Sequence, residues 1–326
     1  MRLIFCGTPQ FAVPTLKRLL REPDFEVLAV ITQPDRPRGR GQQLSVSPVK
    51  EVALAAQLPV HQPEKIRAPE VQQLLEKLTP DVIVIIAYGQ IIPARLLAIP
   101  RYSWINLHAS LLPKYRGAAP INWAIVNGET CTGLTPMRID AGMDTGDILL
   151  QREIEIGPAE TAPELAARMA EAGAPLMEET LRGLAAGAIA PRPQNHAEAT
   201  LAPILKKEDG RIDWNLPARE IYNLIRGFAP WPGAYTTFRG QTCHVWAEPV
   251  PEAASMPAEV MANPSFAAGR SALGTLVGAK NEWFVSCGNA TLLRLQSVKL
   301  EGRKQVSAPE FANGARLQPG DRFSNT

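Results

Sequence analysis

Residues 104–123 read WINLHASLLPKYRGAAPINW, and residues 140–147 read DAGMDTGD. In the first stretch an amide, Asn106, and an imidazole, His108, alternate with the apolar Ile105 and Leu107. Such alternation marks a half-buried strand, and side chains two residues apart leave a strand on the same face. The second stretch supplies three carboxylates, Asp140, Asp144 and Asp147, in a glycine-bearing loop. An Asn amide can donate to a developing oxyanion, a contribution of roughly 3–4 kcal/mol for one such donor. Imidazole, with an ordinary pKa of about 6.5, can carry a proton at neutral pH, and a carboxylate can orient it or accept that proton. No Ser or Cys is obviously placed beside the His, which favours direct transfer over a covalent enzyme intermediate. Blander roles exist for the same residues: a strand-end His is often structural, and DAGMDTGD could merely cap a helix and turn. The residues alone therefore reach an α/β enzyme using Asn, His and Asp on an acyl-like group, with the substrate open.

The elements that must position these groups alternate between strand and helix patterns. RLIFC (2–6), FEVLAVIT (25–32), LPV (58–60), DVIVIIAY (81–88), WINLH (104–108) and GLTPMRI (133–139) read as strands. Between them, 10–21, 47–57, 68–78 and 118–127 carry apolar residues at helical spacing. DVIVIIAY is apolar throughout, as a central parallel strand covered on both faces requires. The alternation predicts a doubly wound, Rossmann-like, mostly parallel sheet with ligands beyond its carboxyl ends. Residues 162–189 are Ala/Leu-rich and helical. Residues 190–206, rich in Pro and Ala, break every periodicity and read as a linker between a catalytic domain (1–189) and a second domain (207–326). After a helix at 216–228, the segments AYTTF, CHVWAEP, GTLVGA, WFVSCG and TLLRLQSVKL are short strands with Gly turns, the pattern of a small OB-like β-barrel.

Composition excludes several classes. The 326 residues carry a formal net charge of only +2, so no global field argues for nucleic acid. Cys6, Cys131, Cys243 and Cys287 form no C-x-x-C pair and suggest neither a metal site nor a disulfide framework. His244 beside Cys243 reads as one strand with a residue on each face, and the six tryptophans read as core. No apolar run reaches 18 residues and the amino terminus enters a strand directly, so a cytoplasmic protein without a membrane segment is expected. Gly7-Thr8-Pro9 lacks the further glycines of a dinucleotide fingerprint, and Gly39-Arg40-Gly41 lacks the Lys-Ser/Thr of a phosphate loop.

HASLLPKYRGAAPINW (108–123) followed by GLTPMRIDAGMDTGDILL (133–150) resembles the folate-dependent formyltransferases. GTPQFAVPTLKRLL (7–20), ITQPDRPRGRGQQLSVSPVKEVA (31–53) and VIVIIAYGQIIP (82–93) are similar to the members that act on an aminoacylated tRNA. RIDWN (211–215) and IRGFAPWPGAY (225–235) carry the likeness into the second domain. The resemblance implies transfer of the formyl group of 10-formyltetrahydrofolate to the α-amino group of methionyl initiator tRNA, with no metal. It implies Asn106, His108 and Asp144 as catalytic residues, with Asn106 and protonated His108 holding the oxyanion and Asp144 assisting proton transfer, and Ser110, Leu111, Leu112 and Pro113 as the lining of a folate pocket bordered by Tyr88 and Asp140.

For the tRNA, the resemblance points to the loop QPDRPRGRGQQL (33–44), with Arg36, Arg38 and Arg40, and to Lys206 and Lys207 on the second domain. Guanidinium groups suit phosphates and splayed bases. The family often carries Lys after G-R-G; Gln42 and Gln43 stand here, which lowers the charge of the loop. A monomer is expected. One rival is a sugar-amine formyltransferase with the same Asn-x-His and Asp; the other is an RNA-binding module that keeps the fold without the activity.

Overall fold

Residues Val82–Ile86, the run VIVII, are buried at every position because a strand lies on each side and helices cover both faces. The computed structural model describes residues 1–38, 43–250 and 272–324. The chain forms two units: Met1–Ile121 with Cys131–Ile156 and Glu164–Pro203, and Asn122–Thr130 with Gly157–Pro163 and Ile204–Thr326.

In chain order the first unit holds strands β1 (Arg2–Gly7), β2 (Glu26–Ile31), β3 (Arg36–Arg38), β4 (Gln43–Ser45), β5 (Val60–His61), β6 (Val82–Ile86), β7 (Trp104–His108), β8 (Arg116–Gly117), β9 (Cys131–Arg138), β10 (Arg152–Glu155) and β11 (Leu201–Ala202). Its helices are α1 (Val13–Arg21), α2 (Pro48–Ala55), α3 (Pro69–Leu78), α4 (Ala94–Leu97), most of α6 (Ala162–Ala185), and the first two residues of α5 (Pro120–Val126). The main sheet runs β10-β9-β7-β6-β1-β2-β5. Strands β5, β2, β1, β6 and β7 are parallel, as the alternating pattern requires.

The sheet is mostly parallel as expected, and the exception falls at β9. This strand runs antiparallel to β7, pairing Arg138 with Ile105 and Thr135 with His108. The loop after β9 therefore leaves beside the start of β7, where Ile139 N donates to Trp104 O at 2.9 Å. It must return roughly 13 Å along β7 to reach His108. Alternation alone cannot distinguish the two strand directions, because the side-chain period is the same in both.

One face of the sheet carries the aliphatic cluster of Ile4, Cys6, Ile31, Ile83, Ile85 and Trp104, on the same side as Asn106 and His108. On the other face α6 approaches β7 closely: a Cβ on Gly173 would stand 2.6 Å from Leu107 Cδ2. Strand β7 is buried apart from half-exposed Asn106, so the amide lies at an opening in an otherwise covered strand.

The second unit holds α7 (Ala218–Gly227), β12 (Tyr235–Phe238), β13 (Gln241–Pro249), β14 (Leu276–Ala279), β15 (Glu282–Ser286), β16 (Leu292–Leu300), β17 (Val306–Ser307), α8 (Ala308–Ala315) and β18 (Phe323–Ser324). Its strands pair antiparallel in the order β14-β15-β16-β13-β12-β18, with β17 on β16. Leu276 N donates to Asp321 O and Phe323 N to Gly274 O, both at 2.9 Å, and Thr275 bridges Arg322. These bonds join the first and last strands of the order and close it into a barrel. The alternation of β13 is as read: Cys243, Val245 and Ala247 point inward, whereas His244 and Trp246 are half-exposed.

All four cysteines are free. No helix among the described residues is long and apolar enough to cross a membrane. Trp104 and Trp214 are fully buried, but Trp231 is 54% exposed and does not belong to the core. Trp214 stacks on Phe323 with ring centroids 5.4 Å apart, and its indole N–H donates to Thr236 Oγ1 at 2.9 Å. Trp214→Ala would remove both the stack and the donor, and it should lower stability by about 3–5 kcal/mol. Urea unfolding followed by circular dichroism reads this as an earlier midpoint.

Candidate active site

Strand β7 ends on His108, whose imidazole is buried. Its Nε2 lies 2.8 Å from the Tyr115 carbonyl oxygen. A carbonyl can only accept, so the hydrogen belongs on Nε2. That leaves Nδ1 turned towards Asp144 Oδ2 at 3.6 Å, beyond hydrogen-bond length. A proton arriving on Nδ1 would complete an imidazolium with a carboxylate beside it. The Asn106 side chain, on the same face and about 7 Å away along the strand, has no hydrogen-bond partner among the described residues.

Asp144 is brought to this point by the returning loop. It has φ +54°, in the left-handed region. Its Oδ2 accepts from Gly117 N at 2.9 Å. Gly117 has φ +123°, and a Cβ there would stand 2.5 Å from the Ala202 carbonyl oxygen, so no side chain fits where β8 pairs with β11. Gly146 closes the loop against the end of β9, where a Cβ would stand 2.0 Å from Arg138 O.

Gln194 holds the same loop from behind. Its Nε2 donates to Asp144 O at 2.9 Å and Gly146 O at 2.7 Å. Its Oε1 accepts from Arg116 Nε and Nη2 at 3.1 and 2.6 Å, and Nη2 also approaches His196 Nδ1 at 3.1 Å. Arg116 is buried and has no carboxylate partner among the described residues. The Gln194 amide thus takes up a buried cation on one side and two loop carbonyls on the other.

The other expected residues fall as follows. Ser110 is buried and spends its hydroxyl on Lys114 O at 2.6 Å. Leu112 packs with Met137 and Ile148, and Met137 is the strand partner of Asn106. Leu111 and Pro113 are half-exposed on the same segment. Thr135, opposite His108, fixes this segment by donating to Ser110 O at 2.6 Å and accepting from Leu112 N at 3.2 Å. Asp140 is exposed and shapes the loop, accepting from Gly142 N at 3.0 Å and Thr145 Oγ1 at 2.7 Å. Tyr88 is buried in the aliphatic cluster, where burial pushes its phenol well above the usual range and its hydroxyl has no partner among the described residues.

Arg36 is exposed on β3. The Arg38 side chain and Arg40 lie outside the described residues. Lys50, near this hairpin, is already engaged: it pairs with the Asp35 carboxylate and donates to Gln62 Oε1 at 2.7 Å. The hydrogen bonds from Lys50 and Gln62 hold the Asp35 carboxyl below its ordinary pKa. Lys206 and Lys207 are exposed on the second unit. Among the described residues no cluster of three His, Cys, Asp or Glu could hold a metal ion.

Tyr115, Arg116, Gly117, Thr135 and Gln194 were not singled out from sequence. Gly117 carried a signal, an Arg-Gly turn directly after the histidine segment. Gln194 carried none, since it sits in a Pro- and Ala-rich stretch without periodicity.

A family model described as formyl transferase matches residues 1–181, and one described as formyl transferase, C-terminal domain, matches residues 204–316. The chain belongs to the formyl transferase family, and within it to the methionyl-tRNA formyltransferases. Proteins of that name from Solibacter usitatus and Geobacter metallireducens are 52% and 49% identical to it. The alignments cover 99% and 100% of this chain and 98% and 99% of those relatives. Among solved structures, a methionyl-tRNA formyltransferase from Clostridium thermocellum matches with TM-score 0.53 and 18% identity, over 77% of this chain and 94% of that one. WlaRD, a sugar 3N-formyl transferase crystallised with dTDP and 5-N-formyl-THF, matches with TM-score 0.66 and 17% identity, over 93% and 99%. At these identities the two structures speak to the fold.

Gln194→Leu would strip the buried Arg116 of an acceptor and free two loop carbonyls. Chemical denaturation should show a loss of about 2 kcal/mol or more relative to the wild type.

Proposed function

We propose that the protein transfers the formyl group of 10-formyltetrahydrofolate to the α-amino group of methionyl initiator tRNA. Full-length identity near one half to methionyl-tRNA formyltransferases supports the acceptor. The convergence of Asn106, His108 and Asp144 on one face of β7 is the observation that carries the chemistry. A half-buried amide without a protein partner, beside an imidazole with one open nitrogen, suits a formyl group whose oxygen gains charge.

An aminoacyl amine is a weaker base than a free α-amine of pKa about 8, because the ester withdraws electrons, so a useful neutral fraction exists at pH 7. The amine nitrogen bonds to the formyl carbon and the carbonyl electron pair moves onto oxygen. Asn106 donates to that oxygen. His108 Nδ1 takes a proton from the attacking amine, and Asp144 stabilises the resulting imidazolium. The tetrahedral centre collapses, breaking the bond to the folate nitrogen, which leaves with the proton from His108. Tyr115 O and Gly117 N keep the imidazole and the carboxylate in position.

The segment Ser110–Pro113, with Leu112 beside Met137, would line the folate pocket, and Tyr88 and Asp140 would border it. Arg36, Arg38, Arg40, Lys206 and Lys207 would meet the tRNA. We assign catalysis to residues 1–189 and acceptor binding chiefly to 207–326, joined through 190–206, whose Gln194, Thr200 and β11 pack with the first unit. We take the protein to act as a cytoplasmic monomer, apart from membranes.

The test is a formyl-transfer assay with 10-formyltetrahydrofolate, offering initiator Met-tRNA, elongator Met-tRNA and an amino-sugar nucleotide. Turnover on the initiator alone is expected, and turnover on the sugar alone would overturn the assignment. His108→Ala and Asp144→Asn should each lower kcat by about 10²–10⁴-fold. Asn106→Ala should lower it by about 10²–10³-fold. Unchanged circular dichroism would show that each variant remains folded.

A further inference from the structure

The outer face of the barrel carries an arrangement to which the chemistry of the transfer step assigns no role. Across β12, β13 and β16, Tyr235, His244 and Lys299 lie side by side, and Trp246 and Ser297 form the next outward pair. Their neighbours along the strand, Cys243 and Val245, are buried. The rings follow one another as a tilted strip: Tyr235 and His244 have centroids 5.9 Å apart at 53°, and His244 and Trp246 have centroids 6.4 Å apart at 35°.

Two cations stand beside it. Burial, together with the charges of Lys299 and Lys207, lowers the pKa of His244 against an opposing hydrogen bond to Ala234. The ring is therefore a neutral aromatic surface at neutral pH. Neither Lys207 nor Lys299 has an acidic partner among the described residues. Gly233, where a Cβ would stand 3.2 Å from His244 Nδ1, lies two residues after the exposed Trp231.

The solvent side of an antiparallel sheet is ordinarily polar. Half-exposed rings flanked by uncompensated lysines match the needs of a flexible polyanion with planar groups. Bases stack on the rings while the lysines meet phosphates. An acidic protein would satisfy the lysines but would leave the rings without planar partners.

We propose that the strip Tyr235–His244–Trp246, flanked by Lys207 and Lys299, is a stacking platform for unpaired nucleotides of the tRNA substrate. The proposal rests on the acceptor assigned above and identifies a base-contacting surface apart from the arginine hairpin. Binding is therefore divided between a salt-dependent part, borne by the lysines, and a salt-tolerant part, borne by the rings.

The full-length protein is tested by fluorescence anisotropy with labelled deacylated initiator tRNA over a salt series, and by formylation kinetics with Met-tRNA. Trp246→Leu is expected to weaken tRNA binding by about five- to a hundredfold. It should raise KM for Met-tRNA correspondingly, with kcat at saturating tRNA unchanged. Lys299→Ala, on an exposed position that leaves the barrel interior intact, should reduce the slope of log K against log salt by about one. Wild-type affinity in Trp246→Leu together with a wild-type salt slope in Lys299→Ala would overturn the platform while leaving the acceptor intact. Wild-type protein that neither binds tRNA nor formylates Met-tRNA would overturn the acceptor, and the platform with it.

Discussion

The hydrogen bond between His108 Nε2 and the Tyr115 carbonyl decides what the rest of the site can do. It commits one imidazole nitrogen to the protein and leaves the other facing Asp144. Tyr115 can supply that carbonyl because the segment after β7 turns tightly, held by Ser110 and Thr135. Its own N–H is tied to Thr200 Oγ1 at 2.9 Å. The turn that defines the protonation geometry is thus anchored by a residue 85 positions later in the chain.

Asp144 meets this fixed ring from the opposite direction. Because β9 is antiparallel, the loop that bears Asp144 starts at the wrong end of β7 and must fold back over the sheet. Backbone pairing closes the base of this loop, where Arg138 N donates to Asp147 O at 2.9 Å, but its tip, with one residue at φ +54°, depends on discrete contacts. Gly117 N grips the carboxylate, and Gln194 grips the carbonyls on either side of Thr145. A buried guanidinium without a carboxylate is costly by itself. Here Arg116 is tolerated because Gln194 Oε1 accepts twice from it.

Much of this was legible in sequence, for identifiable reasons. Strand β6 announced itself through unbroken apolar residues, and Asn106 and His108 shared a face because strand periodicity demands it. Asp144 stood out from Asp140 and Asp147 only through the motif resemblance. The contacts that aim it were not legible, since Gln194 and Gly117 act through backbone groups far apart in sequence. The direction of β9 was equally hidden, because hydrophobic pattern encodes which face is buried and not which way the chain runs. Trp231 illustrates the opposite error: a tryptophan reads as core by its size and apolar surface, yet this one faces solvent.

Barrel closure has a consequence for the behaviour of the chain in concentrated solution. A free strand edge is a template on which another copy can add, and the bonds joining Gly274–Leu276 to Asp321–Phe323 protect the ends of this sheet from that role. The sheet of the first unit is open, but its borders are poor templates. On one side β5 has only two residues, and on the other β10 carries Arg152, Glu153 and Glu155 among its four. A polymerising neighbour would find little backbone to pair with and charge where it needs apolar contact, so the fold itself resists edge-to-edge aggregation.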